Sequence, residues 1–280
     1  PCRSVRHCAC LGARRTISGS SAAIHLGSSG TSWTNRSILA RVLGLFISGN
    51  QYLIKGAWAT YLHGETSATI DDMRFFDTRT IQATNPKNWD KSSSFNEKEL
   101  SGELREVLEK TRSVAFVVVK NGELAHEEYW DGYSADTMSN SYSMAKSWVS
   151  TLVGVAIKEG KIESVNQKVC DFIPEFCESE NSEITIKHLL TQSSGLDWYE
   201  SYYNPLGQTA KAYYGNDLRS LITSLKSTEP PGKGFKYHSS CTQLLAFIAE
   251  EATGETVSEY ASKKLWKPMG AKHPALWNTD

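Results

Sequence analysis

No stretch of this 280-residue chain is apolar over the roughly 20 residues a helix needs to cross a bilayer. The best candidate, residues 42–54, is too short and is interrupted by Gly44, Ser48, Asn50 and Gln51. Net charge is missing as well. Thirty Lys and Arg against 31 Asp and Glu leave −1, so nothing points to a nucleic-acid partner. Six cysteines are too few to make a disulfide scaffold at this length. Cys2, Cys8 and Cys10, with His7 between them, fit no standard zinc spacing, and no metal is expected. Cys170 and Cys177 either pair or stay as buried thiols. There is no internal repeat. Residues 1–64 hold no Asp or Glu at all, against Arg3, Arg6, Arg14, Arg15, Arg36, Arg41 and Lys55. Such an acid-free lead, rich in Ser and Gly over 18–32, reads either as a targeting segment, organellar in character, or as an ill-defined N-terminus. The expected division is therefore 1–64 as a basic lead and 65–280 as the folded domain.

The chain as a whole is 40% hydrophobic with plentiful Trp and Tyr, and from residue 65 its composition is that of an ordinary globular protein. Asn96 is a candidate cap for a helix running to about Thr111, with Leu100, Leu104, Val107 and Leu108 on its buried side. Val114 to Lys120, the Asn121-Gly122 pair and Glu123 to Trp130 read as a β-hairpin. Its first strand is apolar almost throughout, which predicts cover on both faces. Thr185 caps a short helix through Leu190, residues 217–225 and 257–265 are helical, and Cys241 to Ala252 is a buried helix. Pro230-Pro231-Gly232-Lys233-Gly234 breaks the chain just ahead of it.

The chemistry begins at Ser143-Met144-Ala145-Lys146. Residues three apart share a helix face, so the Ser143 hydroxyl and the Lys146 ammonium can meet. A serine hydroxyl is a poor nucleophile until a neighbouring base or cation activates it, and a lysine can do that. Val149, Leu152, Val153, Ala156 and Ile157 recur at helical spacing and predict a buried helix that holds Ser143 at its N-terminal end, where negative charge is favoured. Ser-x-x-Lys alone needs only two common residues and recurs by accident. A second feature, Tyr237-x-Ser239, sits on the turn after the Gly-rich loop; taken singly, the tyrosine reads as an aromatic plug.

Together, Ser-x-x-Lys and a Tyr-x-Ser some ninety residues later resemble the serine β-lactamase and penicillin-binding-protein superfamily. The pattern is most similar to its class C-like branch of esterases and aminohexanoate-oligomer amide hydrolases. The likeness runs from about Thr111 to the end and includes 157–162, 169–176, 186–196 and 232–240. It implies an α+β, β-lactamase/transpeptidase-like fold: an antiparallel sheet flanked by helices, plus a helical subdomain. It further implies Ser143 as the acylated nucleophile, Lys146 as the activating cation and Tyr237 as the proton shuttle. A free phenol holds its proton too tightly to be a base at neutral pH, and an adjacent ammonium favours the phenolate. By the same resemblance Ser239 would hydrogen-bond substrate, and Tyr202 and Trp198 would line its pocket. His188 and His238 suggest a Ser-His pair, but the Lys and Tyr pattern already accounts for activation.

The resemblance also implies a third motif, Lys-Thr-Gly or His/Trp-x-Gly, on a C-terminal sheet strand that supplies an oxyanion-hole donor. No such motif precedes Asp280, so the expectation is a domain whose C-terminal sheet strands are missing from this chain. Two function classes follow. One is a hydrolase of a small ester or amide through an acyl-serine, or of a β-lactam or D-Ala-D-Ala peptide; no cofactor is implied, and family resemblance suggests export to the periplasm. The other is an inactive truncated relative that serves as a binding or scaffold piece.

Overall fold

The apolar spacing after Lys146 sets the centre of the molecule. In the computed structural model, which describes residues 40, 41 and 43–280, that stretch forms a 14-residue helix, Ala145–Lys158. It buries Val149, Leu152, Val153 and Ala156 against a second helix, Ser239–Thr253, whose Cys241, Leu244, Leu245 and Ile248 are buried in turn. Around this pair the chain places, in order, α1 (Tyr52–Ala59), β1 (Asp77–Ile81), α2 (Gly102–Lys110), β2 (Ala115–Lys120) and β3 (Glu123–Tyr129). Next come α3 (Ala145–Lys158), α4 (Ile186–Leu190), α5 (Gln208–Tyr214), α6 (Leu218–Thr223), α7 (Ser239–Thr253), α8 (Val257–Ala261) and β4 (Ala275–Thr279). Ile162, Val169, Ile173, Phe176 and Ile184 close the core from the turns between α3 and α4, and Ile186 from the start of α4. In those turns Cys170 and Cys177 are joined as a disulfide, which decides between the two states left open by the sequence.

The hairpin forms as expected. Ala115 faces Tyr129 and Lys120 faces Glu123, with a bulge at Val118/Val119. Asn121 and Gly122 both have positive φ, 52° and 85°, as a two-residue turn matching the strand twist requires. Two expectations nearby are corrected. β2 is not covered on both faces: Val117 and Val119 are 47% and 45% exposed. Asn96 is not the helix cap. It adopts φ 56° and fastens its side chain to the backbone of Glu127, while the Ser101 hydroxyl accepts from Leu104 N–H and starts α2 at Gly102. A serine three residues before the helix's first leucine competes well for the cap position, and Asn is equally at home in a left-handed turn.

A second antiparallel pair, absent from the sequence expectations, joins β1 to β4, with Asp77 opposite Thr279 and Ile81 opposite Ala275. α1 packs against α5, where the Tyr52 phenol donates to the Pro205 carbonyl at 3.1 Å and Gly56 faces the Tyr214 ring. The acid-free stretch expected to end at residue 64 therefore contributes a packed helix from Tyr52 onward. Its first 39 residues, with the targeting and Cys/His readings that fall on them, lie outside the described residues.

Candidate active site

Ser143 lies on a single tight turn, Tyr142–Met144, that runs directly into α3. Its Oγ accepts a hydrogen bond from Lys146 Nζ at 3.2 Å and another from the Tyr237 phenol at 2.8 Å, across 94 residues of sequence. The Lys146 ammonium also sits 5.1 Å from the centroid of the Tyr237 ring, close enough for a cation–π attraction. The three groups singled out in the sequence are therefore brought together, on a face where Tyr237 remains 39% exposed and Ser143 is partly accessible.

Tyr237 is held from both sides along its backbone. Gln192 takes Lys236 N–H on its carbonyl at 2.8 Å and His238 N–H on its side-chain oxygen at 2.7 Å. Gln192 itself has φ 55°, and the turn after it closes through Gly195, where a Cβ would stand 2.1 Å from the Glu229 carbonyl. No other residue fits there. One position further along, Glu200 accepts the Ser239 N–H at 2.7 Å and the Ser239 hydroxyl at 2.8 Å. Its carboxylate also takes the Trp198 indole N–H at 2.7 Å and the Tyr202 phenol at 2.8 Å. Burial pushes the Glu200 carboxyl up, but the bonds from Ser239, Trp198 and Tyr202 outweigh it and hold it below the usual carboxylate range.

All three residues expected to contact substrate thus converge on one internal carboxylate. Trp198 is 5% exposed. Tyr202 is largely exposed. The Ser239 hydroxyl already has an acceptor. Glu200 was not singled out in the sequence, although a lone acid inside a run of aromatics was a signal that it would be sought by their polar tips. One of the two histidines has a structural duty. His188 completes the capping box of α4 with Thr185, and His238 precedes the first turn of α7. Burial lowers both imidazoles' affinity for a proton.

The approach to Ser143 is held just as firmly. Tyr142 is a non-glycine residue at φ 45°, a conformation that costs on the order of 1–3 kcal/mol and persists only when neighbours enforce it. Its phenol donates to the Thr69 carbonyl, and its ring lies 6.2 Å from that of Tyr213. Asn140 donates its backbone N–H to Ile70 at 2.8 Å and its side-chain amide to the buried Asp72. No motif or apolar spacing in the sequence marks the 69–72 turn. No group of three or more His, Cys, Asp or Glu placed to hold a metal ion occurs among the described residues.

The chain is similar to several known proteins. The chain is 29% identical over 189 residues to a 6-aminohexanoate-dimer hydrolase of Paenarthrobacter ureafaciens, a match covering 64% of this chain and 48% of that protein. It is 25% identical over 185 residues to Protein flp of Staphylococcus aureus (strain MW2), covering 59% and 35%. The chain thus spans half or less of the length of these curated relatives. Among solved structures, a Bacillus anthracis protein assigned as a 6-aminohexanoate-dimer hydrolase superposes with a TM-score of 0.68 at 21% identity, over 81% of this chain and 64% of that one; at that identity the match speaks for the fold. The Beta-lactamase family model matches residues 101–280, which include Ser143, Lys146 and Tyr237, and with well over half of its length so matched the chain belongs to the Beta-lactamase family.

Proposed function

We propose that this chain carries the nucleophilic centre of a serine hydrolase that cleaves a small ester or amide through an acyl-Ser143 intermediate. The observation that carries the reading is the convergence of Lys146 and Tyr237 on one serine oxygen, at 3.2 and 2.8 Å. In the first half-reaction Tyr237 acts as its phenolate, the form an adjacent ammonium favours: Ser143 Oγ attacks the substrate carbonyl carbon and its proton passes to the Tyr237 oxygen. The C–O or C–N bond then breaks as Tyr237 returns that proton to the leaving alcohol or amine. In the second half-reaction water repeats the sequence on the acyl-serine and releases the acid. Lys146 keeps a positive charge beside the oxygen on which negative charge develops, and the N-terminus of α3 adds its dipole. Likeness to a 6-aminohexanoate-dimer hydrolase favours a small linear amide or ester as substrate. β-Lactam or D-Ala-D-Ala peptide chemistry is the second reading, favoured by the family match.

Labelling separates the readings. The chain is mixed with a fluorescent fluorophosphonate and, separately, with a fluorescent penicillin, alongside Ser143→Ala. Fluorophosphonate labelling that disappears in Ser143→Ala is the expected result. Penicillin labelling of the same serine would move the proposal to the second reading. A folded sample labelled by neither probe would sink catalysis by this chain and leave a binding or scaffold role.

A further inference from the structure

We propose that Asp72 is a positioning residue for Ser143: its buried carboxylate fixes the 69–72 turn against Asn140 and Tyr142, and so holds the nucleophile where Lys146 and Tyr237 can reach it. The role rests on the serine-hydrolase reading, but the contacts that suggest it are independent of it. Asp72 is 2% exposed, with no cation paired to it among the described residues. Its Oδ2 accepts Thr69 N–H at 3.2 Å, its Oδ1 accepts the Asn140 amide, and the Tyr213 phenol approaches both oxygens at 3.1 and 3.2 Å. Thr69 then offers its carbonyl to the Tyr142 phenol, and Ile70 offers its own to Asn140 N–H. Two residues within three of Ser143 are therefore tied to a turn that lies ahead of the family-matched stretch, and one carboxylate joins the two sides of the tie.

A core carboxylate without a cation is an expensive way to fasten a loop. Burial raises the Asp72 carboxyl above its ordinary range, against the bonds from Tyr213, Thr69 and Asn140. Burial likewise keeps the phenols of Tyr142 and Tyr213 protonated, as donors. The charge thus adds little to global stability, whereas its geometry is specific: three donors converge from three segments onto two oxygens. An asparagine of the same shape offers one oxygen. Tyr213 can follow either position, so either Thr69 N–H or the Asn140 amide must lose its acceptor. Tyr142 then relaxes from φ 45°, and Ser143 moves with it.

The test compares wild type, Asp72→Asn and Ser143→Ala by fluorophosphonate inactivation over a range of probe concentrations. Amide hydrogen exchange is followed in the same samples. Because misplacement by about 1 Å can cost on the order of 100-fold, kinact should fall by about that factor in Asp72→Asn while KI changes by less than about threefold. Exchange over residues 138–147 should quicken by about tenfold or more, with residues 239–253 unchanged. Unaltered kinact together with unaltered exchange over 138–147 would overturn the proposal. If wild type takes no label, the serine-hydrolase reading fails by itself and exchange decides the positioning role: equal protection of 138–147 in both proteins rejects it, faster exchange in the variant supports it. Should Asp72→Asn lose protection everywhere, Asn140→Ala, which removes only the partner, is read by the same two criteria.

Discussion

At the scale of single residues, two oxygens and one nitrogen define the site, and the groups that aim them differ in how visible they were. Ser143, Lys146 and Tyr237 could be named from the sequence because their chemistry is paired with motif spacing. Removing the Tyr237 hydroxyl in Tyr237→Phe should slow fluorophosphonate labelling by about 100-fold or more, since a positioned proton acceptor contributes about 10²–10⁴. Asp72 was not legible, because a hydrogen-bonding hub is a property of where chains meet and leaves no spacing rule behind; Glu200 was marked only by its place among the aromatics of 198–203. Glu200 gives a prediction with a sign. Its folded carboxyl is held below the ordinary range, so its stabilisation is fully present above about pH 4.3 and is lost as pH falls through the lower folded value. Glu200→Gln should therefore lower stability at pH 7 by about 1–3 kcal/mol, the cost of stranding buried donors. Its unfolding free energy should also fall less than that of wild type between pH 5 and pH 3 in urea titrations. A parallel fall in the two proteins would remove Glu200 from its role.

At the scale of elements, periodicity was informative where one face is buried and misleading where none is. The spacing of Val149, Leu152, Val153 and Ala156 gave α3 correctly, because a helix packed on α7 leaves a regular stripe. Leu152→Ala, at 1% exposure, should cost about 2–5 kcal/mol in chemical denaturation. The valines of β2 carried an equally strong apolar signal, yet Val117 and Val119 are nearly half exposed. Composition reports what a strand can bury, and the neighbours decide whether it does. Val117→Thr should accordingly change the stability of this chain by no more than about 0.5 kcal/mol. The β1–β4 pair escaped notice for the opposite reason. Asp77, Thr78, Arg79 and Thr80 are all exposed and leave no alternation to read, so the partner across the ladder defines that strand.

At the scale of the whole molecule, α+β character and family followed from several long blocks of sequence, while the packing of α1 onto α5 did not, since the acid-free composition around Tyr52 suggested a separate lead. The Cys170–Cys177 bridge staples the turns that carry Ile173 and Phe176 into the core. A loop this short gains about 2 kcal/mol by restricting the unfolded chain. Reduction by dithiothreitol should thus lower Tm by about 5 °C in calorimetry, with Cys170→Ala/Cys177→Ala matching the reduced protein.

The 94 residues separating Ser143 from Tyr237 also set a schedule for synthesis. At about 5–20 residues per second, the ribosome makes Ser143 roughly 5–20 seconds before Tyr237. Gln192, which grips the backbone on either side of that tyrosine, is made in between. On the proposed reading the serine therefore leaves the ribosome unarmed, and its reactivity would be switched on only when the segment leading into α7 closes over it.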